Sequence, residues 1–178
     1  MHGIQIWVAL PTDQEECEPN FSHYPKENLP QFILAENLSG KLLIGSHGDT
    51  SSPVKTYSPT FFADINVENP VNNVVSIAQE EIGVFLLEGE ASINDQELTT
   101  DDLLLVAKPE QIKIKASRGT RLIFIGGATF AEPRYIWWNF VSSRRERIRE
   151  AAEHWQKQLF GKVAEEEDFI PLPNDPMP

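Results

Sequence analysis

The sequence contains very little cysteine and few basic residues. Cys17 is the single cysteine among 178 residues, so an internal disulfide and a cysteine-based zinc site are excluded, and a reducing compartment is favoured. The 15 Lys and Arg residues are outnumbered by 27 Asp and Glu residues, which gives a formal net charge of −12. Nucleic acids and anionic membranes bind positively charged faces. We therefore expect neither nucleic acid nor membrane among the partners.

Long apolar runs are missing as well. No stretch approaches the ~20 consecutive apolar residues of a membrane-spanning helix. The N-terminus has no basic start, and Pro11 comes too early for the apolar segment of a signal peptide. These features predict a soluble protein of the cytoplasm.

The chain does contain many short β-prone segments. The clearest is residues 82–95, which predict a buried strand, a tight turn at Glu88-Gly89-Glu90 and a second strand. Residues 31–44 predict a hairpin that turns at Ser39-Gly40. Further strands are expected at 4–10, 60–67, 74–78, 103–107, 111–116 and 121–126. So many short strands with turn residues between them are typical of a sandwich or barrel.

One helix is predicted near the C-terminus. Ser143 and Glu146 have the spacing of a capping box, in which each side chain satisfies the other residue's backbone N–H. Gly161 is the expected end of this helix. Four apolar residues recur at helical intervals and predict a stripe that packs on the outside of a barrel or on a neighbouring subunit: Ile148, Ala152, Trp155 and Leu159. The proline-rich segments 11–30 and 162–178 predict irregular structure, with Phe169 and Ile170 able to hold the tail locally.

Several segments in sequence order resemble the C-terminal half of pirins, which are cupin proteins. They are residues 2–11, residues 52–60, the hairpin at Glu88-Gly89-Glu90, and the closing segment from Gly126-Gly127 to Phe160-Gly161. The resemblance implies an all-β fold, a single cupin-type β-barrel (double-stranded β-helix, jelly-roll-like) with an extended N-terminal arm and one C-terminal α-helix.

The same resemblance implies one domain over residues 1–178. Its expected parts are an N-terminal strand and arm (1–40), the barrel (41–141), the helix (143–161) and the tail (162–178).

Most cupins hold a metal with three His and one Glu, and the resemblance places the iron of pirins in an N-terminal cupin domain that this sequence does not match. Anchoring the cupin pattern at Gly89 puts the glutamate at Ile82 and the last histidine at Ile112. The first two histidines fall on Ser76 and Ala78, or on Val75 and Ile77 with the longer spacing. An apolar side chain has no lone pair for a transition metal.

The four histidines do not supply a replacement set. His2 and His23 lie in the arm, and His154 lies beside the apolar stripe of the helix. His47 with Asp49 provides two ligands, which is short of a site. We therefore expect no metal and no cofactor in this chain.

Two classes of function remain open. The first is a non-catalytic cupin domain of the pirin type, a structural or protein-interaction module with no catalytic residues. The second is an enzyme or small-molecule binder, either a metal-free barrel pocket lined by Asp64, Ser76 and Gln79 or a metal-dependent, quercetinase-like dioxygenase as in two-domain pirins. Barrel mouths are common ligand sites.

Self-association is expected, because a single pirin-type barrel exposes apolar surface that needs cover. A homodimer is predicted through Ile4, Ile6 and Trp7 of the N-terminal strand or through Trp137 and Trp138. A pirin N-terminal-type cupin domain is the alternative partner.

One basic concentration stands out in this acidic chain. It forms either a solvated face or a docking patch for an acidic surface. It consists of Arg144, Arg145, Arg147 and Arg149.

Overall fold

The computed structural model describes residues 3–107, 111–161, 165 and 167–178. The chain divides into two compact units. We call Pro19–Thr129 the sandwich unit, and Met1–Glu18 together with Phe130–Pro178 the terminal unit. The predicted organisation as one domain stays a prediction.

The described residues of the sandwich unit form twelve strands and one short 3-10 turn at Lys26–Asn28. The strands are β1 (Gln31–Ala35), β2 (Leu38–Ile44), β3 (Ser46–His47), β4 (Thr50–Ser51), β5 (Thr60–Val67), β6 (Val71–Val75), β7 (Glu81–Glu88), β8 (Ala91–Ile93), β9 (Gln96–Glu97), β10 (Leu103–Ala107), β11 (Ile112–Ala116) and β12 (Arg121–Gly127).

These strands form antiparallel sheets. Six pair in the order β1-β2-β5-β12-β7-β10, four pair in the order β6-β11-β8-β9, and β3 pairs with β4. The predicted all-β, jelly-roll-like fold is confirmed. Hydrogen-bonded ladders among the described strands run within each sheet and do not join the six-stranded sheet to the four-stranded one, so they close no barrel.

Alternation along the strands builds the core of the sandwich unit. Phe61, Ala63, Ile65 and Val67 of β5 are all buried, as their period of two predicts. Ala63 lies opposite Phe124 of β12, which is also buried. Ile112 and Ile114 of β11 bring the four-stranded sheet into the same apolar cluster. Each Val, Ile or Phe side chain among them contributes about 1.5–3 kcal/mol to stability when it is fully buried.

The first hairpin turns earlier than predicted. Ser39 and Gly40 lie inside β2, and the turn is at Glu36-Asn37, where Asn37 has a φ of +61°. Asn tolerates this left-handed conformation better than most residues. Gly40 is needed in the strand, because a Cβ there would collide with the Asp64 carbonyl oxygen of β5. The glycine therefore marks close backbone approach and not a turn.

The terminal unit contains a hairpin of β13 (Tyr135–Trp137) and β14 (Phe140–Ser142), followed by helix α1 (Arg145–Gln156). The predicted strand at residues 4–10 is wrong, since residues 3–10 have no regular structure. The Arg134 guanidinium donates to the Leu10 carbonyl from Nη2 at 2.9 Å, so a side chain takes the place of a strand partner there.

The helix begins and ends inside its predicted range, and the predicted capping box is wrong. Its N-cap is Arg144, whose side chain makes no capping hydrogen bond. The Ser143 backbone N–H and hydroxyl both donate to the Glu15 carboxylate at 2.9 Å. A carboxylate from the N-terminal arm therefore replaces Glu146 as the partner of Ser143. The helix ends at Gln156, five residues before Gly161.

The apolar stripe of α1 packs on the β13–β14 hairpin. Ile148 and Ala152 are buried against Trp137, with Tyr135, Trp138, Phe140 and Leu172 packed around them. Leu159 lies beyond the helix and is 62% exposed.

The Trp155 indole N–H donates to the Ile170 carbonyl at 2.8 Å, and its ring stacks on Phe169. These contacts confirm the predicted local anchoring of the tail. Among the described residues, no helix has the length and apolarity needed to cross a membrane.

Candidate functional site

The positions that the cupin pattern assigns to metal ligands can be located in the sandwich unit. Ile82 and Ile112 are 0% exposed, and Val75 and Ile77 are also in the core. Ser76 and Ala78, the alternative pair, are exposed to solvent. Hydrocarbon side chains offer no lone pair, so this interior does not fit a transition metal. In the described parts of the chain, no group of three or more His, Cys, Asp or Glu side chains could hold a metal ion.

The histidines that the structure describes either pack against aromatic rings or are exposed to solvent. The His47 ring makes an edge contact with Phe32 at 5.5 Å between centroids, and His154 makes a similar contact with Phe160 at 6.2 Å. His23 is exposed, and His2 lies outside the described residues.

The structure places Asp64, Ser76 and Gln79 outside the apolar core. Asp64 alternates with the buried residues of β5, so it faces away from the core and accepts a hydrogen bond from Arg121 Nε at 2.8 Å. That hydrogen bond raises the pKa of Arg121 above its usual value, and burial opposes the rise. Ser76 is exposed and Gln79 half-buried, and no hydrogen bond among the described residues joins the three side chains. Ligand binding by these residues stays a prediction.

The residues predicted for an interface divide into exposed and packed groups. Ile4 is 46% and Trp7 51% exposed, whereas Ile6 is half-buried. Trp137 is 8% exposed, and its indole N–H donates to the Asp175 carbonyl. Trp138 is half-buried, with its ring centroid 5.0 Å from that of Trp155. The two tryptophans of the hairpin thus serve the packing of the terminal unit, and a dimer interface there stays a prediction.

The terminal unit contains a cavity of about 200 Å³ that the sequence did not reveal. We call it the terminal cavity. Its polar lining includes Glu15, Glu16 and Arg147. Its apolar lining includes Phe140, Ile148, Ala151 and Phe160. Residues of the N-terminal arm and of α1 therefore line the same terminal cavity.

Glu15 holds one side of the terminal cavity. Its side chain and that of Arg134 are each 10% exposed, and Arg134 Nε lies 2.9 Å from Glu15 Oε1. The carboxylate also accepts from Ser143 and, at 3.3 Å, from the Ser142 hydroxyl. A carboxylate with this many donors is tightly oriented.

Glu16 bridges two arginines at the start of α1. It accepts from Arg147 Nε and Arg144 Nη2, both at 2.9 Å. The hydrogen bond from Arg147 is the main reason that the pKa of Glu16 lies below its usual value, and burial opposes the shift. The Nη1 atom of Arg147 is enclosed and has no hydrogen-bond partner among the described residues. Glu150 Oε2 lies 4.0 Å from this nitrogen.

The four arginines of the basic concentration thus mostly contact other groups of the same chain. Arg145 lies over the Tyr135 ring at 4.5 Å, and Arg149 donates to the Pro178 carbonyl at 3.0 Å. For the contacts of Glu15 and Glu16, the signal in the sequence was the adjacency of these two carboxylates in an arm with little regular structure. Their partners Ser143, Arg144 and Arg147 lie about 130 residues away in the sequence, so no local pattern connects them.

Comparison with known proteins agrees with the sequence resemblance. The profile of the pirin C-terminal cupin domain matches residues 62–161. A pirin-like protein of Caulobacter vibrioides is 33% identical over 176 residues, which cover 97% of this chain and 60% of that protein. The chain thus spans less than two thirds of that relative's length.

Two crystal structures of quercetin 2,3-dioxygenases from Acinetobacter baumannii share the fold. One superposes with a TM-score of 0.87 at 30% identity, covering 96% of this chain and 57% of the other. The second has a TM-score of 0.80 at 20% identity, covering 88% and 56%, and shows the common fold alone. The cupin-type fold is therefore confirmed, and the chain belongs to the family of pirin C-terminal cupin domains.

Proposed function

We propose that this chain is a non-catalytic cupin domain that acts as a structural and protein-interaction module without a metal site of its own. The observation that supports the proposal is the burial of Ile82 and Ile112 at positions where the cupin pattern has ligands. Each is fully enclosed in the apolar cluster of the sandwich unit. A metal there would meet only hydrocarbon.

Metal content of the purified chain tests this proposal. The chain is incubated with Fe²⁺, Ni²⁺ or Zn²⁺, passed through a desalting column, and analysed by mass spectrometry of the metals. We expect far less than one ion per chain, with or without a prior chelation step. One tightly held ion per chain, lost on chelation and regained on reloading, would overturn the proposal.

The interaction partner that we propose is a second copy of the chain. The exposed apolar side chains Ile4 and Trp7 in the arm support an association surface. The net charge of −12 on each copy opposes dimerisation, and salt screens that repulsion. The dimer is therefore expected to tighten as salt is added.

Sedimentation velocity at micromolar concentration measures the dimer. We expect Trp7→Ser to weaken it, and Asn72→Ser to leave it unchanged as the control, because Asn72 is a polar, exposed residue of the sandwich unit. A strict monomer at high salt would contradict the homodimer. A monomer that then forms an equimolar complex with a pirin N-terminal-type cupin domain would assign that domain as the partner.

The alternative function is a metal-dependent dioxygenase of the quercetinase type. The specific support is the 30% identity to a protein named quercetin 2,3-dioxygenase, of which this chain covers 57%. Because the match covers part of that protein, we assign the alternative to a longer chain. Loss of quercetin absorbance, followed with the present chain and each metal, is expected to equal the rate with metal alone. A faster, protein-dependent rate would favour the alternative.

We also propose a cytoplasmic location, which the exposed free thiol of Cys17 supports. Cell fractionation tests it, and recovery of the protein outside the cytoplasm would contradict it.

A further inference from the structure

We propose that β13 and α1 of the terminal unit form a recognition surface for proline-rich segments of other proteins, and that the chain's own tail covers this surface. We call residues 169–178 the tail segment. The surface that it covers, which we call the tail-binding surface, consists of Trp137, Ile148, Arg149, Ala152 and Trp155. None of the residues assigned to the proposed homodimer interface of the arm belongs to it, so the two proposals are independent.

The first reason is that the tail segment is held as a bound peptide is held. Among the described residues, no backbone-to-backbone hydrogen bond joins it to the rest of the chain. Three side-chain donors reach its carbonyl oxygens instead. They are the Trp155 indole N–H to Ile170 at 2.8 Å, the Trp137 indole N–H to Asp175 at 3.2 Å, and Arg149 Nη2 to Pro178 at 3.0 Å.

The second reason is that two side chains of the tail segment fit the surface. The Phe169 ring stacks on Trp155 at 5.9 Å between centroids and an inclination of 25°. Leu172 packs against the buried cluster of Trp137, Ile148 and Ala152. The surface therefore accepts an aromatic residue that is followed three positions later by an apolar one.

The third reason is the stiffness of the tail segment. Every residue from 170 to 178 except Asn174 either is a proline or directly precedes one. Proline fixes its own φ near about −65° and biases the preceding residue towards extended conformations. Such a segment loses little conformational entropy when it binds. Because proline has no N–H, a surface that recognises this segment has to supply donors, and the tail-binding surface supplies three.

The class of partner follows from these contacts. The partner is a protein with an exposed segment in which an aromatic residue, any residue, proline, leucine and proline follow one another, as in residues 169–173. Such a segment makes the same contacts as the tail segment when it takes its place. Residues 157–168 connect α1 to the tail segment, and a tether of this length gives an effective concentration of about a millimolar. The tail segment therefore keeps weak binders out.

The test measures the binding of a dye-labelled peptide with the sequence of residues 167–178 by fluorescence anisotropy. The freed variant is the full chain with Phe169→Ser and Leu172→Ser, which removes the two side chains that anchor the tail segment. The matched control carries Ile170→Ser and Met177→Ser, at side chains that are 61% and 45% exposed. We expect saturable binding to the freed variant with a dissociation constant of roughly 0.1–1 mM, and at least about tenfold weaker binding to the control and to the unsubstituted chain.

Two further comparisons examine the prolines and the indole donor. A peptide in which alanine replaces all four prolines is expected to bind the freed variant about tenfold more weakly, because it is more flexible before binding. Trp155→Phe, added to the freed variant, keeps an aromatic ring but removes the N–H, and is expected to weaken binding about fivefold. Tyr57→Phe, which removes one polar group from the sandwich unit, is the control and is expected to leave binding unchanged.

Several results would overturn the proposal. They are the absence of saturable binding to the freed variant, equal binding to the unsubstituted chain, equal affinity of the alanine peptide, and unchanged binding after Trp155→Phe. If the double substitution disturbs the terminal unit, Phe169→Ser alone replaces it, because Phe169 is 44% exposed. This single variant is expected to bind the peptide at least about threefold more tightly than Ile170→Ser, and equal binding by the two would contradict the proposal.

Discussion

The two units of this chain are stabilised in different ways. The sandwich unit joins its strands by antiparallel ladders and buries an apolar cluster between its two larger sheets. The described part of the terminal unit has one hairpin and one helix, and carboxylates of the arm bind to residues about 130 positions later. Its own apolar cluster is built around Trp137, Ile148 and Ala152.

The difference matters because the two kinds of contact respond differently to substitution. Burial of apolar surface is non-directional and spread over many side chains. Truncating one of them therefore lowers stability but leaves the remaining contacts in place. An oriented carboxylate depends on each of its partners, and removing one leaves a buried group unsatisfied.

All four tryptophans, at positions 7, 137, 138 and 155, belong to the terminal unit. Their fluorescence therefore reports on that unit, and far-ultraviolet circular dichroism reports chiefly on the strands.

The largest expected effect is in the core of the sandwich unit. Phe61→Ala removes a ring that is 1% exposed and is expected to lower the free energy of unfolding by about 3–5 kcal/mol. Urea denaturation followed by circular dichroism measures it. The control is Phe62→Ala, the next residue of β5, which is half-buried on the opposite face. Equal losses for the two variants would mean that both faces of β5 are packed alike.

A smaller effect is expected from the arm of the terminal unit. Glu15→Gln keeps the shape but leaves the buried Arg134 without its counter-charge, and we expect a loss of about 1–3 kcal/mol. Urea denaturation followed by tryptophan fluorescence is the measurement. Glu18→Gln, at an exposed position of the same arm, is expected to change stability by less than about 0.5 kcal/mol. If Glu15→Gln leaves the free energy of unfolding unchanged, the arm is not held by this carboxylate.

The ion pair on the outer face of β5 is expected to contribute less to stability than Phe61 or Glu15. Arg121 and Asp64 are 39% and 18% exposed at their side chains, so water screens much of their attraction. Arg121→Met is expected to lower stability by about 1 kcal/mol, and the effect should disappear when Asp64→Asn is already present. Arg118→Met, at an exposed position, is the control. Additive losses in the double variant would argue that the two side chains do not interact.

The smallest effect concerns the pH dependence of the terminal unit. Because the hydrogen bond from Arg147 lowers the pKa of Glu16 below 4.5, this carboxylate stabilises the folded state above pH 4.5. That contribution is lost as the pH falls through the lowered pKa. With Glu16 53% exposed, the contribution is at most about 0.5 kcal/mol.

Unfolding of Glu16→Gln, compared with the unsubstituted chain across this pH range, measures the contribution. The two curves should differ above pH 4.5 and converge as the pH falls through the lowered pKa of Glu16. A difference that grows on acidification would contradict the sign of the shift.

The sandwich unit was largely predictable from the sequence. The period-two alternation in β5 and β11 identified their core faces, because successive side chains of a strand point to opposite sides whatever the strand pairs with. The segments that resemble pirins identified the family. The prediction of a turn at Gly40 was wrong, because the close approach of a second strand leaves no signal in the neighbouring sequence.

The terminal unit was predictable only in part. The apolar stripe of α1 was identified, since helical periodicity is also a local property. The start of the helix was not, because Ser143 has two acceptable partners and the choice between Glu146 and Glu15 depends on where the arm lies. The terminal cavity was invisible for the same reason.

The amino-acid sequence alone determined the alternation of the strands, the apolar residues at the metal-ligand positions and the membership of the pirin family. Only the tertiary structure decided which carboxylates meet which arginines, where α1 begins, and that a lined hollow exists beside Arg147. Periodicity depends on neighbours a few residues apart. A hydrogen bond between residues about 130 positions apart depends on their distance in space, which the fold sets.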